Sequence, residues 1–564
     1  MDVFGLHDLL VSWLLCSVLG RSQAVNRTET AVWDDSPLGS EPTGELMGIR
    51  DSLALVSRPT LSRLGLSSLR VDVRGCLALI GKITKYLSVL LAIPLLFALY
   101  EGVDVMPFAV TLVLVLAVGA PLERVSSDTE PGPREGYLIV ALTWLILPVV
   151  GAIPFVLAGN GVIADPVNAL FESMSGTTTT GATVIVDFDA HSRPIMLWRS
   201  LIQWLGGLSI LVLAVAVLSE LSVGGAQLME TETATTSVRK LTPRIEGTAR
   251  LLGTLYLGLT TVTVVGLYGL HLVGFAPEMT LFDAVNHAFT SISTSGFSPR
   301  ADSIAAFSPA VQWAVIPVMF VGATNFVIIY RFTRGKYDAP LRSEEFRVYV
   351  GIVAFLSLFV AGLLVVEPHQ QYSIEETLRH ATFQVVSILT TTGYASANFD
   401  LWSPSAKNVL FLCMFFGGMV GSTTCSIKLL RWLVIVKSLR RDLFTAVHPS
   451  AVRPVRLDGD VVDEDSIRQM YAYTMLNIVI FACATVFVIA DAARVGLSLT
   501  ELEALGASAA TFLNIGPGFG LAGPFGSYVE FPATTKLVMV VLMWVGRIEV
   551  IPVLVLLTRT YWRD

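Results

Sequence analysis

The segment Phe171-Glu-Ser-Met-Ser-Gly-Thr-Thr-Thr-Thr-Gly181-Ala sets a run of hydroxyl side chains and a glycine between two apolar stretches. It has three counterparts further along the chain. They are Asn286-His-Ala-Phe-Thr-Ser-Ile-Ser-Thr-Ser-Gly296-Phe, Phe383-Gln-Val-Val-Ser-Ile-Leu-Thr-Thr-Thr-Gly393-Tyr, and Ala510-Thr-Phe-Leu-Asn-Ile-Gly516-Pro-Gly-Phe-Gly. Each follows an amphipathic stretch in a long loop of low polarity, and each returns through polar residues to the next apolar run. This is an internal repeat of span, re-entrant helix, glycine turn and span, four times over.

The surrounding composition places that repeat in a membrane. The chain has 564 residues, of which 53% are hydrophobic and 15% charged. Soluble domains carry about 25% charged residues. The mean hydropathy is +0.67, and many apolar runs reach the ~20 residues that cross a bilayer core. Spans are predicted near 74–100, 105–122, 137–158, 196–219, 251–275, 309–330, 347–366, 407–437, 470–490 and 535–558. The net charge of −7 is mild, and the basic residues lie in short loops rather than in a nucleic-acid-like patch. Loops after the fourth, sixth and eighth spans hold Arg239, Lys240, Arg244 and Arg250; Arg331, Arg334, Lys336, Arg342 and Arg347; and Lys437, Arg440, Arg441, Arg453, Arg456 and Arg468. The opposite loops hold little beyond Arg193, Arg300, Arg379 and Arg494. The positive-inside rule makes the basic loops and the C-terminus cytoplasmic.

Residues 1–72 read as a poorly ordered extension or the product of a start placed upstream. The Leu9–Leu19 run is too short to span and lacks a basic flank, and Asn26-Arg27-Thr28 is a sequon of a kind common by chance. The five cysteines, Cys16, Cys76, Cys413, Cys425 and Cys483, show no CxxC spacing, so neither a disulfide framework nor a zinc site is expected. The glycines at 516, 518 and 520 fail the GxGxxG pattern because Leu521 stands where glycine is required. No catalytic constellation emerges, and an enzyme is not expected.

A short helix that enters the bilayer and stops leaves carbonyls unpaired. Such backbone is tolerated at membrane depth only when buried in protein or lining a watery cavity. Four such turns around one axis can form a carbonyl ring that replaces the water shell of a monovalent cation. Glycine suits backbone angles that a Cβ would obstruct, and the negative C-terminal ends of the re-entrant helices favour a cation. The preceding Thr and Ser can add hydroxyl oxygens or lock the turn. The eighth span is interrupted by Phe416-Gly-Gly-Met-Val-Gly-Ser-Thr-Thr-Cys-Ser-Ile427. Unbroken, that span would overshoot the bilayer, so an intramembrane loop fits its length. Arg547 sits near the middle of the tenth span, two residues before Glu549, and must face a cavity or a partner. Trp198 and Trp204 read as an aromatic belt, and Glu172 and Asp283 as acidic groups opening re-entrant helices.

These loops resemble those of the TrkH/TrkG family of potassium uptake proteins, related to KtrB, over roughly residues 73–562. The stretches Leu197-Trp-Arg-Ser-Leu-Ile-Gln-Trp-Leu-Gly-Gly207, His448-Pro-Ser-Ala-Val-Arg-Pro-Val-Arg456 and Gly546-Arg-Ile-Glu549 add to the resemblance. It implies an all-α polytopic fold with four pseudo-repeats around one pore, in 131–235, 236–340, 341–460 and 461–564, preceded by two additional helices in 73–130. It implies a potassium filter at Thr180, Gly181, Ser295, Gly296, Thr392, Gly393, Ile515 and Gly516, and no covalent cofactor. It implies a gate at Gly417, Gly418, Gly421, Ser422, Thr423, Thr424, Cys425 and Ser426, with Lys428 following the loop and Arg547 beside it. The family commonly carries Gly-Gly where Cys425-Ser426 stands. Serine at the first filter glycine goes with sodium preference in related plant transporters, and this chain keeps Gly181. A homodimer and a cytosolic TrkA-like nucleotide-binding ring are the implied partners, alongside the lipid bilayer. A sodium or poorly selective pathway of the same architecture is the alternative.

Overall fold

The computed structural model describes residues 71–125, 132–216, 245–367 and 372–563. The expected N-terminal extension up to residue 70, with its short apolar run, its sequon and Cys16, lies outside the described residues, as do Arg239, Lys240 and Arg244 of the first basic loop.

The described chain is mostly helical. A hairpin of α1 (Val73–Glu101) and α2 (Val105–Glu123) comes first. Gly102, in the left-handed region at φ 72, ends α1 and bonds back to the Ala98 carbonyl. The two helices nearly touch, since a Cβ on Gly119 would fall 2.6 Å from the Lys85 nitrogen. Then follow α3 (Pro133–Ala158), α4 (Pro166–Thr177), α5 (Arg193–Ala216), α6 (Ile245–Leu272), α7 (Leu281–Ile292), α8 (Pro309–Gly322), α9 (Phe326–Thr333), α10 (Ala339–Arg342), α11 (Glu344–Val366), α12 (Ile374–Leu389), α13 (Pro404–Cys413) and α14 (Leu429–Val447). A two-residue antiparallel ladder, β1 (Arg456–Leu457) with β2 (Asp460–Val461), precedes α15 (Glu464–Arg494), α16 (Glu501–Phe512), α17 (Ala533–Arg547), α18 (Ile551–Leu557) and α19 (Arg559–Arg563).

Six of these helices, α1, α2, α3, α6, α11 and α15, are long and apolar enough to cross a bilayer unbroken. The fourth expected span is α5, unbroken to Ala216, but the sixth, eighth and tenth are not simple rods. The sixth is α8 and α9, bent by 105°, and the tenth is α17 and α18, bent by 112°. Asn325 makes the first bend by capping α9 with its side chain. At the second bend Glu549 and Val550 take φ of 58 and 25. The eighth divides into α13 and α14 around non-helical residues 414–428. Chain of this kind is affordable at membrane depth only because it is buried in protein.

Four short helices, α4, α7, α12 and α16, sit between the spans. Their starts are fixed locally. Asp165 caps α4 with Pro166 at the first helical position, and capping boxes of Thr280 with Asp283, Ser373 with Glu376, and Thr500 with Glu503 begin the others. The four arginines of the loops opposite the basic ones are each neutralised nearby: Arg193 by Glu101, Arg300 by Asp283, Arg379 by Glu375 and Arg494 by Asp491.

Two expectations are corrected. Glu172 does not open its helix; it lies in the second half of α4, buried, and pairs with Arg199 at 2.6 Å. Trp198 and Trp204 are no interfacial belt. Both are buried, and their indole N–H groups donate to the Gly151 carbonyl and the Thr260 hydroxyl at 3.0 Å each. An indole can reach a polar partner inside as readily as at a headgroup, so sequence position alone misleads.

Candidate functional site

The four short helices end alike. In each, the second residue beyond the helix takes a left-handed turn: Thr179, Thr294, Thr391 and Asn514, at φ 54, 49, 53 and 55. The next amide reaches back five residues: Thr180 to Ser175, Ser295 to Thr290, Thr392 to Ser387 and Ile515 to Ala510, all within 2.8–2.9 Å. This is the Schellman closure, which satisfies carbonyls that a helix end otherwise leaves bare. A glycine at positive φ follows in every case, Gly181, Gly296, Gly393 and Gly516 at 85, 75, 78 and 105. The three-residue pattern is thus identical in loops of different sequence.

Those glycines interlock in a circle. A Cβ added to Gly181 would fall 2.4 Å from the Ser295 carbonyl oxygen, and one on Gly296 1.9 Å from that of Thr392. One on Gly393 would fall 2.0 Å from the Ile515 oxygen, and one on Gly516 2.8 Å from the Thr180 oxygen. Each loop therefore leans on the next, and the fourth returns to the first. Four carbonyl oxygens, of Thr180, Ser295, Thr392 and Ile515, thus follow one another in a closed order. An arrangement of this kind can stand in for the water shell of a monovalent cation.

Hydroxyls lock the first three turns rather than leaving them free. Thr178 pairs with Thr180, Ser293 with Ser295, and Thr390 with Thr392, at 2.6–2.7 Å. The fourth turn has Leu513 and Ile515 at these places. There Asn514 takes over: its amide donates to the Thr180 hydroxyl at 2.8 Å and the Met543 carbonyl at 2.9 Å. On the side of the loop returns, a cavity of about 500 Å³ touches all four glycines and is lined by Arg199, Arg300, Glu503 and Glu530 among others.

The non-helical stretch 414–428 is fastened to the opposite, helix-end side of the ring. Thr423 bonds the Thr294 hydroxyl at 3.0 Å and donates to the Gly322 carbonyl, and the Cys425 amide donates to the Thr391 hydroxyl at 3.1 Å. Arg547 reaches into the same place. Its guanidinium donates to the Thr423 carbonyl and the Gly206 carbonyl at 3.0 Å each, and to Cys425 Sγ at 2.7 Å. Arg547 is not paired with Glu549, which instead holds Arg431 at 2.8 Å. Lys428 folds back onto the Thr424 carbonyl at 2.6 Å. Gly418 and Gly421 lie against Ala323–Asn325 at the sixth-span bend, and Gly417 against the far end of the loop. Ser422 ties to Thr424 at 2.8 Å. Ser426 occupies a left-handed φ of 62 and donates to the Met414 carbonyl at 2.7 Å, a conformation that costs a non-glycine residue about 1–2 kcal/mol.

The predicted site residues thus fall into two adjoining groups. Sequence reading missed Thr294 and Thr391 as contacts of the loop, and Arg431 as the partner of Glu549. Only the first two carried a signal, since they stand at the same repeat position as Thr179.

A polytopic helical bundle built around four interlocked loops is the architecture of a membrane transport protein. The profile of the TrkH cation transport proteins matches residues 105–562, and the chain belongs to that family. It is 34% identical over 502 residues to the Trk system potassium uptake protein TrkH of Vibrio parahaemolyticus, covering 87% of this chain and 99% of that one. It is 31% identical to TrkG of Escherichia coli over 485 residues, 84% and 95% of the two chains. The crystal structure of the potassium transporter TrkH from Vibrio parahaemolyticus superposes with a TM-score of 0.76 at 32% identity, covering 87% of this chain and all of that one.

Proposed function

We propose that this chain carries potassium into the cell through the carbonyl ring of Thr180, Ser295, Thr392 and Ile515, with Gly181, Gly296, Gly393 and Gly516 as its spacers. The observation that carries the reading is the circle of close approaches, in which each glycine makes room for the next loop's carbonyl. The four loops with their flanking spans act as repeats 131–235, 236–340, 341–460 and 461–564. Residues 414–428 act as the gate, held beneath the ring by Arg547. A TrkA-like nucleotide-binding ring docks on the basic cytoplasmic face and biases that gate, and two copies of the chain form a dimer with one pore each. The similarity to proteins named for potassium uptake supports this reading.

A membrane potential yields about 2.3 kcal/mol per 100 mV for one inward charge, more than tenfold accumulation. A channel-like route suffices without coupling to another ion. The test is growth of potassium-uptake-deficient cells at low potassium, with potassium and sodium flux measured in parallel for the wild type and for Gly181→Ser. Restored growth, potassium preference, and its loss in the variant are expected. Equal fluxes of both ions in the wild type would favour the poorly selective alternative.

A further inference from the structure

The helix α5 carries a buried polar face against the second loop. Arg199 and Gln203 lie one turn apart on it, and both are buried. Gln203 makes three bonds to the second loop. Its amide nitrogen donates to the Ser295 carbonyl at 2.7 Å, and its amide oxygen accepts from the Ser295 hydroxyl at 2.8 Å and the Phe297 backbone N–H at 3.1 Å. The Phe297 N–H can only donate, so the oxygen must face it and the nitrogen must face Ser295. Arg199 extends the grip, donating to the Ser298 carbonyl at 2.8 Å while its Glu172 partner accepts from the Thr183 hydroxyl and the Val184 amide. One turn further on, Gly206 lets the Thr177 carbonyl approach.

No other ring carbonyl has such a support among the described residues. Gly322 and Gly546 stand against the ends of α7 and α16 as Gly206 stands against the end of α4. Three residues before them lie Met319 and Met543, where the first repeat has Gln203. A thioether offers no donor to a carbonyl.

We propose that Gln203 is a specificity-determining positioning residue, holding the Ser295 carbonyl from behind so that the ring cannot contract around a smaller cation. A carbonyl oxygen has two lone pairs. It can accept from Gln203 and still present the other to the axis. Contraction onto sodium would draw the Ser295 oxygen inward, away from the amide, and the lost bond would count against sodium alone. Potassium leaves it intact. The inference rests on the carbonyl-ring reading above.

The test compares wild type, Gln203→Met, Gln203→Glu and Gly181→Ser in whole-chain protein reconstituted in liposomes, with potassium and sodium flux read separately. Gln203→Met gives α5 the side chain that stands at the equivalent position of the second and fourth repeats. Gln203→Glu, read at a pH high enough to ionise the buried carboxyl, keeps both acceptor contacts and replaces the donor with an oxygen. Either change should lower the potassium-to-sodium flux ratio by about three- to tenfold, the worth of one hydrogen bond, chiefly by raising sodium flux. A monodisperse variant with an unchanged ratio, or one in which both fluxes fall equally, overturns the proposal. If Gln203→Met does not fold, Gln203→Glu decides by the same criterion. If Gly181→Ser also leaves the ratio unchanged, the carbonyl-ring reading fails. If only the Gln203 variants do, that reading stands and this one falls.

Discussion

Alanine substitution at the four ring glycines should not be equally harmful, and the order follows from the spacing of the loops. All four take positive φ, so alanine carries about 1–2 kcal/mol of backbone strain at each site. The difference lies in what the new methyl meets. At Gly296 and Gly393 it would lie 1.9 and 2.0 Å from the neighbouring carbonyl, at Gly181 2.4 Å, and at Gly516 2.8 Å. Real Cβ atoms essentially never come closer than 3.0 Å. The Thr392 and Ile515 carbonyls must therefore retreat by about 1 Å, whereas that of Thr180 shifts by a few tenths. An ångström of error is enough to cost a preorganised site about a hundredfold in function. We expect Gly296→Ala and Gly393→Ala to abolish selective potassium flux, Gly181→Ala to weaken it strongly, and Gly516→Ala to retain the most. The assay is potassium and sodium flux in liposomes at matched protein density, with melting of the detergent-solubilised protein as a control for folding. A folded Gly296→Ala variant more selective than Gly516→Ala would refute the interlocking ring.

Removing Arg547 breaks its bonds to the Thr423 carbonyl and Cys425 Sγ of the loop and to the Gly206 carbonyl of α5. Charged hydrogen bonds are worth about 1.5–3 kcal/mol each, so Arg547→Ala should raise partner-independent potassium leak by at least about tenfold, and unchanged leak would remove Arg547 from the gate. Glu172→Gln leaves Arg199 buried without its counter-charge; breaking such a pair costs about 3–5 kcal/mol, which a fall in melting temperature would register and an unaltered melt would contradict. The Arg431–Glu549 pair is partly open on the glutamate side, at 32% exposure. A double-mutant cycle with Arg431→Met and Glu549→Gln should return a coupling of only about 1 kcal/mol, and strict additivity would show that the two do not act together.

Legibility in the sequence followed the range of the interactions. The short helices announce themselves in Asp165-Pro166 and in the capping boxes from Thr280, Ser373 and Thr500, because a cap is written within four residues. Their ends are marked by the recurring glycines, since positive φ is a local demand. The break in the eighth span is visible as a run of glycine and hydroxyl residues too polar for a helix in lipid. By contrast, the place of Glu172 is not legible locally because its partner Arg199 is 27 positions away, nor are those of Trp198 and Trp204, because a buried indole and an interfacial one look the same in a string of letters.

The sequence by itself determined that this is a membrane bundle with four hydroxyl-and-glycine turns, because hydropathy, capping and backbone sign are properties of neighbouring residues. Only the tertiary structure decided that the turns close into one circle, that Asn514 links the fourth to the first across 334 positions, and that Arg547 serves the loop at Thr423 rather than Glu549. These depend on which distant carbonyl is left without a partner once the helices pack, and packing between remote segments sets that choice.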